Sequence, residues 1–126
     1  MARILAVDDD LSIALLVRGI LVRDGHEVRV AASAAQALDA YDSRPFDLVI
    51  TDKMMPGTNG IELIRKLRQR DPAIPAILMT AHPDLPERDL AIQGYLAKPF
   101  VKLDGLREKV ATTLQIYTRL KALRAA

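Results

Sequence analysis

The stretch Ile4-Leu5-Ala6-Val7-Asp8-Asp9-Asp10 decides the fold. Four consecutive apolar residues suit a strand buried on both faces, not one that alternates between core and water. Three carboxylates then cut the run, so it is neither a signal peptide nor part of a membrane span, which needs about 18 apolar residues. Downstream, Ile13, Leu16, Val17, Ile20 and Leu21 recur at helical spacing, and Gly25 follows Asp24 where a helix-ending glycine belongs. Strand, acidic loop and helix form a unit that the rest of the chain repeats.

Val28–Ala31 is the second strand, and Ser33 with Gln36 stands at capping-box spacing to open a helix through about Tyr41, ended by Pro45. Leu48–Thr51 repeats the buried-strand pattern. Met55, Pro56, Gly57, Asn59 and Gly60 then make a loop, and a helix follows from about Ile61 to Arg70. Asp71, Pro72 and Pro75 break the chain before a fourth strand, Ala76–Met79, which exits at Thr80. Between Pro83 and Gln93 the prolines leave room for about two turns of helix from Glu87. Tyr95–Ala97 is a short fifth strand and Lys98-Pro99-Phe100 a turn. From Leu103 a long amphipathic helix carries Leu106, Val110, Leu114 and Tyr117. The alternation predicts an α/β protein, with five parallel strands covered on both faces by five helices, the fourth short or distorted. Right-handed crossovers favour a single flavodoxin-like, doubly wound domain with strand order 2-1-3-4-5.

Composition narrows the chemistry. The 126 residues hold 18 Lys plus Arg, 16 Asp plus Glu, two His and no Cys. Without cysteine there is no disulfide framework, thiol nucleophile or Cys-based metal site. Two lone imidazoles, His26 and His82, make a histidine-rich metal centre a poor prospect, so a divalent ion would need oxygen ligands. The six glycines are scattered, with no phosphate-cradling loop of the nucleotide-binding kinds. Residues 101–126 hold six basic and two acidic groups, which reads as a solvated helix face without the density that nucleic-acid binding wants. We expect a cytoplasmic protein without direct contact to membrane or nucleic acid.

In a doubly wound sheet the site forms beyond the carboxyl ends of the strands. Asp8 and Asp9 follow strand 1, Asp52 strand 3, Thr80 strand 4 and Lys98 strand 5. Three converging carboxylates raise one another's pKa unless a cation neutralises them, and Mg²⁺ prefers such oxygen ligands. A hydroxyl and an ammonium beside them supply what phosphoryl oxygens require. Each piece alone has a blander meaning. Asp10 reads as a helix cap, Met54 and Met55 as core filler, Tyr95 as a half-buried edge aromatic.

The strings Val7-Asp8-Asp9-Asp10, Leu48-Val49-Ile50-Thr51-Asp52 with Met55-Pro56 and Gly60, Met79-Thr80-Ala81, and Tyr95-Leu96-Ala97-Lys98-Pro99-Phe100 together resemble the receiver domain of two-component response regulators. The resemblance covers residues 1–115, leaving 116–126 as an extension of the last helix. It implies a phosphorelay switch in which Asp52 accepts a phosphoryl group from a phosphohistidine on a histidine kinase or phosphotransfer protein. It implies Mg²⁺ held by Asp9, Asp52 and the main-chain carbonyl of Met54, with Asp8 acting mainly through water. Thr80 and Lys98 would meet phosphoryl oxygens, the Lys98-Pro99 peptide would be cis, and Tyr95 would change rotamer as Thr80 moves. Met54 and His82 match positions that set phosphoryl lifetime, and a thioether beside Asp52 predicts moderately slow hydrolysis. The chain would not be an enzyme beyond self-catalysed phosphoacceptance and autodephosphorylation.

The spacing from Thr80 to Lys98 is about one helical turn shorter than receivers usually have, so a truncated fourth helix and a mobile Pro83–Gln93 segment are expected. Two rivals remain: a receiver-like adaptor acting without phosphorylation, and a Mg²⁺-dependent phosphohydrolase of the haloacid dehalogenase type with Asp8 as nucleophile and Asp10 as acid-base. The latter wants a further acidic pair at a strand end after the lysine, where only Asp104 and Glu108 remain. The sequence leaves open whether the extension leads to an output domain, meets a separate downstream target or forms a homodimer contact.

Overall fold

A computed structural model describes residues 1–81, 90–98 and 103–125. Strands β1 (Arg3–Val7), β2 (Glu27–Ala31), β3 (Leu48–Asp52), β4 (Ala76–Thr80) and β5 (Gly94–Ala97) form one parallel sheet in the order β2-β1-β3-β4-β5. Four helices lie among the described residues: α1 (Leu11–Arg23), α2 (Ala34–Ser43), α3 (Gly60–Arg70) and α4 (Leu103–Ala125).

Every residue of β3 and β4 is buried, which is why both read as unbroken apolar runs. At the edge, β2 alternates instead, with Glu27 and Arg29 exposed. One sheet face, carrying Leu5, Val7, Val49 and Leu78, packs on Ala37 of α2 and Ile64 and Leu67 of α3. The opposite face, carrying Ile4, Ala6, Ile50 and Met79, packs on Val17 and Leu21 of α1 and Leu106 and Val110 of α4.

The helix ends follow local chemistry. Gly25 has a φ of 87° and donates to the Val22 carbonyl at 3.0 Å, while His26 donates to Leu21 at 3.2 Å, a Schellman closure that needs the left-handed residue. Ser33 caps α2 by accepting from the Gln36 N–H at 3.2 Å. The Gln36 side chain reaches back to the N–H of Ala32, not Ser33, at 3.0 Å, so the capping box is displaced by one residue.

The sequence reading differs from the structure between β4 and β5. Residues 90–93 are not helical: Leu90 and Ile92 pack against the core, and the Gln93 N–H donates to the Ala76 carbonyl at 2.9 Å. That end of the segment is tied down, where mobility through Gln93 is expected from the sequence. The short helix expected from Glu87 lies outside the described residues, as do His82, Phe100 and Pro99, before which a cis peptide is expected. The last helix runs unbroken from residue 103 through 125, and no helix among the described residues is long and apolar enough to cross a membrane.

Candidate functional site

Parallel pairing aligns the strand ends. Val7 lies opposite Thr51, Asp52 opposite Met79 and Thr80 opposite Ala97, so the residues that leave β1, β3, β4 and β5 meet along one edge. The carboxylates of Asp8, Asp9 and Asp52 each offer an oxygen within 4.8 Å of the others, with Asp8 and Asp52 buried and Asp9 exposed. Lys98 Nζ lies between two of them, donating to Asp8 Oδ2 at 2.9 Å and lying 3.3 Å from Asp52 Oδ2.

Asp8 is fully buried, and its second oxygen, Oδ1, accepts the Asp10 N–H at 2.9 Å. Burial pushes its carboxyl above the ordinary value; the Lys98 and Asp10 hydrogen bonds pull the other way, and the charge of Asp52 adds to the rise. Burial works against the Lys98 ammonium too, yet its bond to Asp8 and the charges of Asp8 and Asp52 win, holding it above its ordinary value. Asp10 is a helix cap, accepting from the Ser12 N–H and Oγ at 3.0 and 2.6 Å, and those bonds hold its carboxyl below the usual range.

Backbone contacts fix Asp52 from below. The Thr51 hydroxyl donates to the Asp52 carbonyl at 3.0 Å, the Lys53 N–H to Met79 at 2.9 Å and the Gly60 N–H to Lys53 at 3.0 Å. A Cβ on Gly60 would collide with the Asp52 carbonyl oxygen, so the first turn of α3 can press against this loop only as glycine. Gly60 belongs to the strings that carry the resemblance, but its close approach to the Asp52 carbonyl has no sequence signature, and main-chain donors such as the Asp10 N–H leave no mark in a sequence.

The structure brings Asp8, Asp9, Asp52 and Lys98 together and places Thr80, 6% exposed, on the neighbouring strand end. Tyr95 lies opposite Leu78, two residues before Ala97, so Tyr95 and Thr80 fall on the same sheet face by alternation. It is half-buried against the core. Met55 is core, as expected, whereas the Met54 side chain is 74% exposed beside the site.

Two ligands of one Mg²⁺ with bonds of about 2.1 Å lie at most about 4.2 Å apart. The 4.8 Å span of the three carboxylates is therefore within a small side-chain adjustment of holding such an ion. Both Asp8 oxygens are already hydrogen-bonded, which leaves Asp9 and Asp52 as the better direct ligands.

Comparison with known proteins agrees with this geometry. Residues 4–111 match the family model described as the response regulator receiver domain. Sporulation initiation phosphotransferase F of Bacillus subtilis is 33% identical over 118 residues, covering 90% of this chain and 94% of that protein. The uncharacterized transcriptional regulatory protein YkoG of the same species is 32% identical over 116 residues, 89% of this chain and 50% of its own length. Among solved structures, NtrX from Brucella abortus superposes with a TM-score of 0.87 at 29% identity, over 98% of this chain and 29% of NtrX. TrrA from Thermotoga maritima, in complex with Mg(2+)-BeF, gives 0.77 at 35% identity, over 90% of this chain and 99% of its own. The chain thus spans half of YkoG and under a third of NtrX. Its five-stranded order, its acidic cluster with a bridging lysine and these matches establish that the chain belongs to the receiver domain family of two-component response regulators.

Proposed function

We propose that this receiver accepts a phosphoryl group on Asp52 and changes its partner-binding surface in response. The observation that carries the reading is Lys98 spanning Asp8 and Asp52 beside the exposed Asp9. A buried carboxylate pair with one ammonium and an exposed third carboxylate supplies the oxygen ligands and the positive charge that a divalent cation and a phosphoryl group require. The relative named a phosphotransferase and the neighbour holding Mg(2+)-BeF support it.

Asp9, Asp52 and the Met54 carbonyl would hold Mg²⁺, with Asp8 meeting it mainly through water; the ion would neutralise charge on the phosphoryl oxygens. An Asp52 carboxylate oxygen attacks phosphorus on a phosphohistidine. A P–O bond forms as the donor's P–N bond breaks, and the released imidazole keeps the bonding pair and takes a proton from solvent. The protein's part is positioning and charge balance. Lys98, already shared between Asp8 and Asp52, moves to pair with the new group, and the Thr80 hydroxyl donates to a second phosphoryl oxygen. Tyr95, on the same sheet face as Thr80, follows that movement. The donor is a histidine kinase or phosphotransfer protein, the recipient of the signal a fused output domain or a separate target, and the chain does no other catalysis.

Incubation with acetyl phosphate and Mg²⁺, read by intact mass, is expected to add one phosphoryl group, and Asp52→Asn to abolish it. A chain that stays unlabelled under these conditions and with a phosphohistidine donor would be an adaptor instead.

A further inference from the structure

At the opposite end of the sheet from the acidic cluster, a cavity of about 360 Å³ opens between the α3–β4 connection and the distal half of α4. Pro72, Ile74 and Pro75 line one wall, Ile116 and Leu120 the other, and Arg68 is part of the rim. Arg68 is fixed by Nε and Nη2, which donate to the Ile74 carbonyl at 3.2 Å each, and Nη2 also meets Gln93 Oε1 at 3.0 Å; Nη1 takes no part in these bonds. Along α4 the apolar stripe continues outward: Ile116, Leu120 and Leu123 are 53%, 50% and 73% exposed. Arg119 beside it is exposed, and residues 115–126 carry three basic and no acidic groups.

Spacings of four and three place 116, 120 and 123 on one helical seam. A second copy is a poor occupant. In a parallel pair on this seam, position 119 of one helix faces position 124 of the other, and both are arginine, so that pairing sets like charges face to face. A flat lipid surface could reach the stripe but not the recess beside it. The charge and the concavity both call for a protruding, acidic element.

We infer that the groove between α4 and the α3–β4 connection binds an acidic amphipathic helix of another protein, its apolar side chains entering the recess and its carboxylates reaching Arg68 and Arg119. The interaction stands apart from the chemistry at Asp52 and does not depend on it.

The test uses the full chain and a labelled synthetic helical peptide with leucine at i, i+3, i+4 and i+7 and glutamate elsewhere. Binding is read by fluorescence anisotropy and located by amide chemical shifts. We expect micromolar binding, shifts at residues 72–75, 91–93 and 116–123, and at least tenfold weakening in Leu120→Ser and in Arg119→Glu, each with unchanged circular dichroism. A lysine-for-glutamate peptide should not bind wild type and should gain affinity for Arg119→Glu. Several results would overturn the inference: no binding, shifts elsewhere, or affinity indifferent to both substitutions. Binding only to phosphatidylglycerol vesicles would assign the stripe to lipid. Dimerisation abolished by Leu120→Ser would assign it to self-association.

Discussion

Replacing Lys98 with methionine isolates the electrostatic role of one side chain. Its Nζ sits 2.9 Å from Asp8 and 3.3 Å from Asp52, and Asp8 is fully buried. At an effective dielectric of about 20, the two contacts are gross attractions of about 5–6 kcal/mol each, largely offset by desolvation of the three charges. Methionine keeps the apolar stem but leaves Asp8 with the Asp10 N–H alone opposing its burial. The loss has a ceiling, because the carboxyl can take a proton instead. From its ordinary 3.8, protonation costs about 4 kcal/mol at pH 7 and about 1.6 kcal/mol at pH 5. Lys98→Met is expected to lower the unfolding free energy by about 3–4 kcal/mol at pH 7 and by no more than about 2 kcal/mol at pH 5. The direction follows from Asp8 lying above its ordinary value in the fold and rising further without the ammonium. A raised carboxyl weakens the fold progressively as pH climbs past its unfolded value, so the variant's deficit grows from pH 5 to pH 7. Urea denaturation of both proteins at both pH values, without metal, measures it. A deficit equal at the two pH values, or under about 1 kcal/mol at pH 7, would refute Lys98 as the counter-ion of a buried carboxylate.

Gly60→Ala forces a methyl group against the Asp52 carbonyl, and an overpacking cost of about 1–3 kcal/mol is expected together with slower phosphoacceptance; an unchanged denaturation midpoint would contradict the close approach. Tyr41 donates to Asp71 Oδ2 at 3.3 Å, and burial, followed by the Asp71 charge, pushes its phenol up to about 12. Its contribution to stability is complete below the unfolded value of 10.0 and is lost as pH rises toward about 12. An ultraviolet titration should show a late phenolate step that Tyr41→Phe removes, and three tyrosines ionising together near the ordinary value would count against it. Millimolar Mg²⁺ should raise the melting temperature of the wild type, and Asp9→Asn should largely erase that rise; equal shifts in both would place the ion elsewhere.

The fold was legible because the chain alternates buried runs with capped helices. Leu48–Thr51 and Ala76–Met79 read as strands since every position in them is buried, and Gly25 reads as a helix end since only a left-handed residue closes that turn. The site was legible because parallel strands bring their carboxyl ends to one edge, so Asp8, Asp52 and Lys98 could be combined across 90 residues of sequence separation. What sequence could not supply is distance and direction. Nothing in the string distinguishes a lysine that bridges two carboxylates from one in a solvated turn. Residues 90–93 are held by Gln93 acting as a strand partner of Ala76, through both backbone and side chain, a tertiary contact without local signature. The groove beside α4 has no local signature for the same reason, since Arg68 and Leu120 come to line one recess only once the sheet is assembled.

The most direct test of the account is the position of the acyl phosphate. The chain, loaded with acetyl phosphate and Mg²⁺, is reduced with borohydride, which converts a phosphorylated aspartate to homoserine, and the modified peptide is sequenced by mass spectrometry. Homoserine at residue 52 is the expected result; homoserine at residue 8 or 9, with residue 52 unaltered, would contradict it.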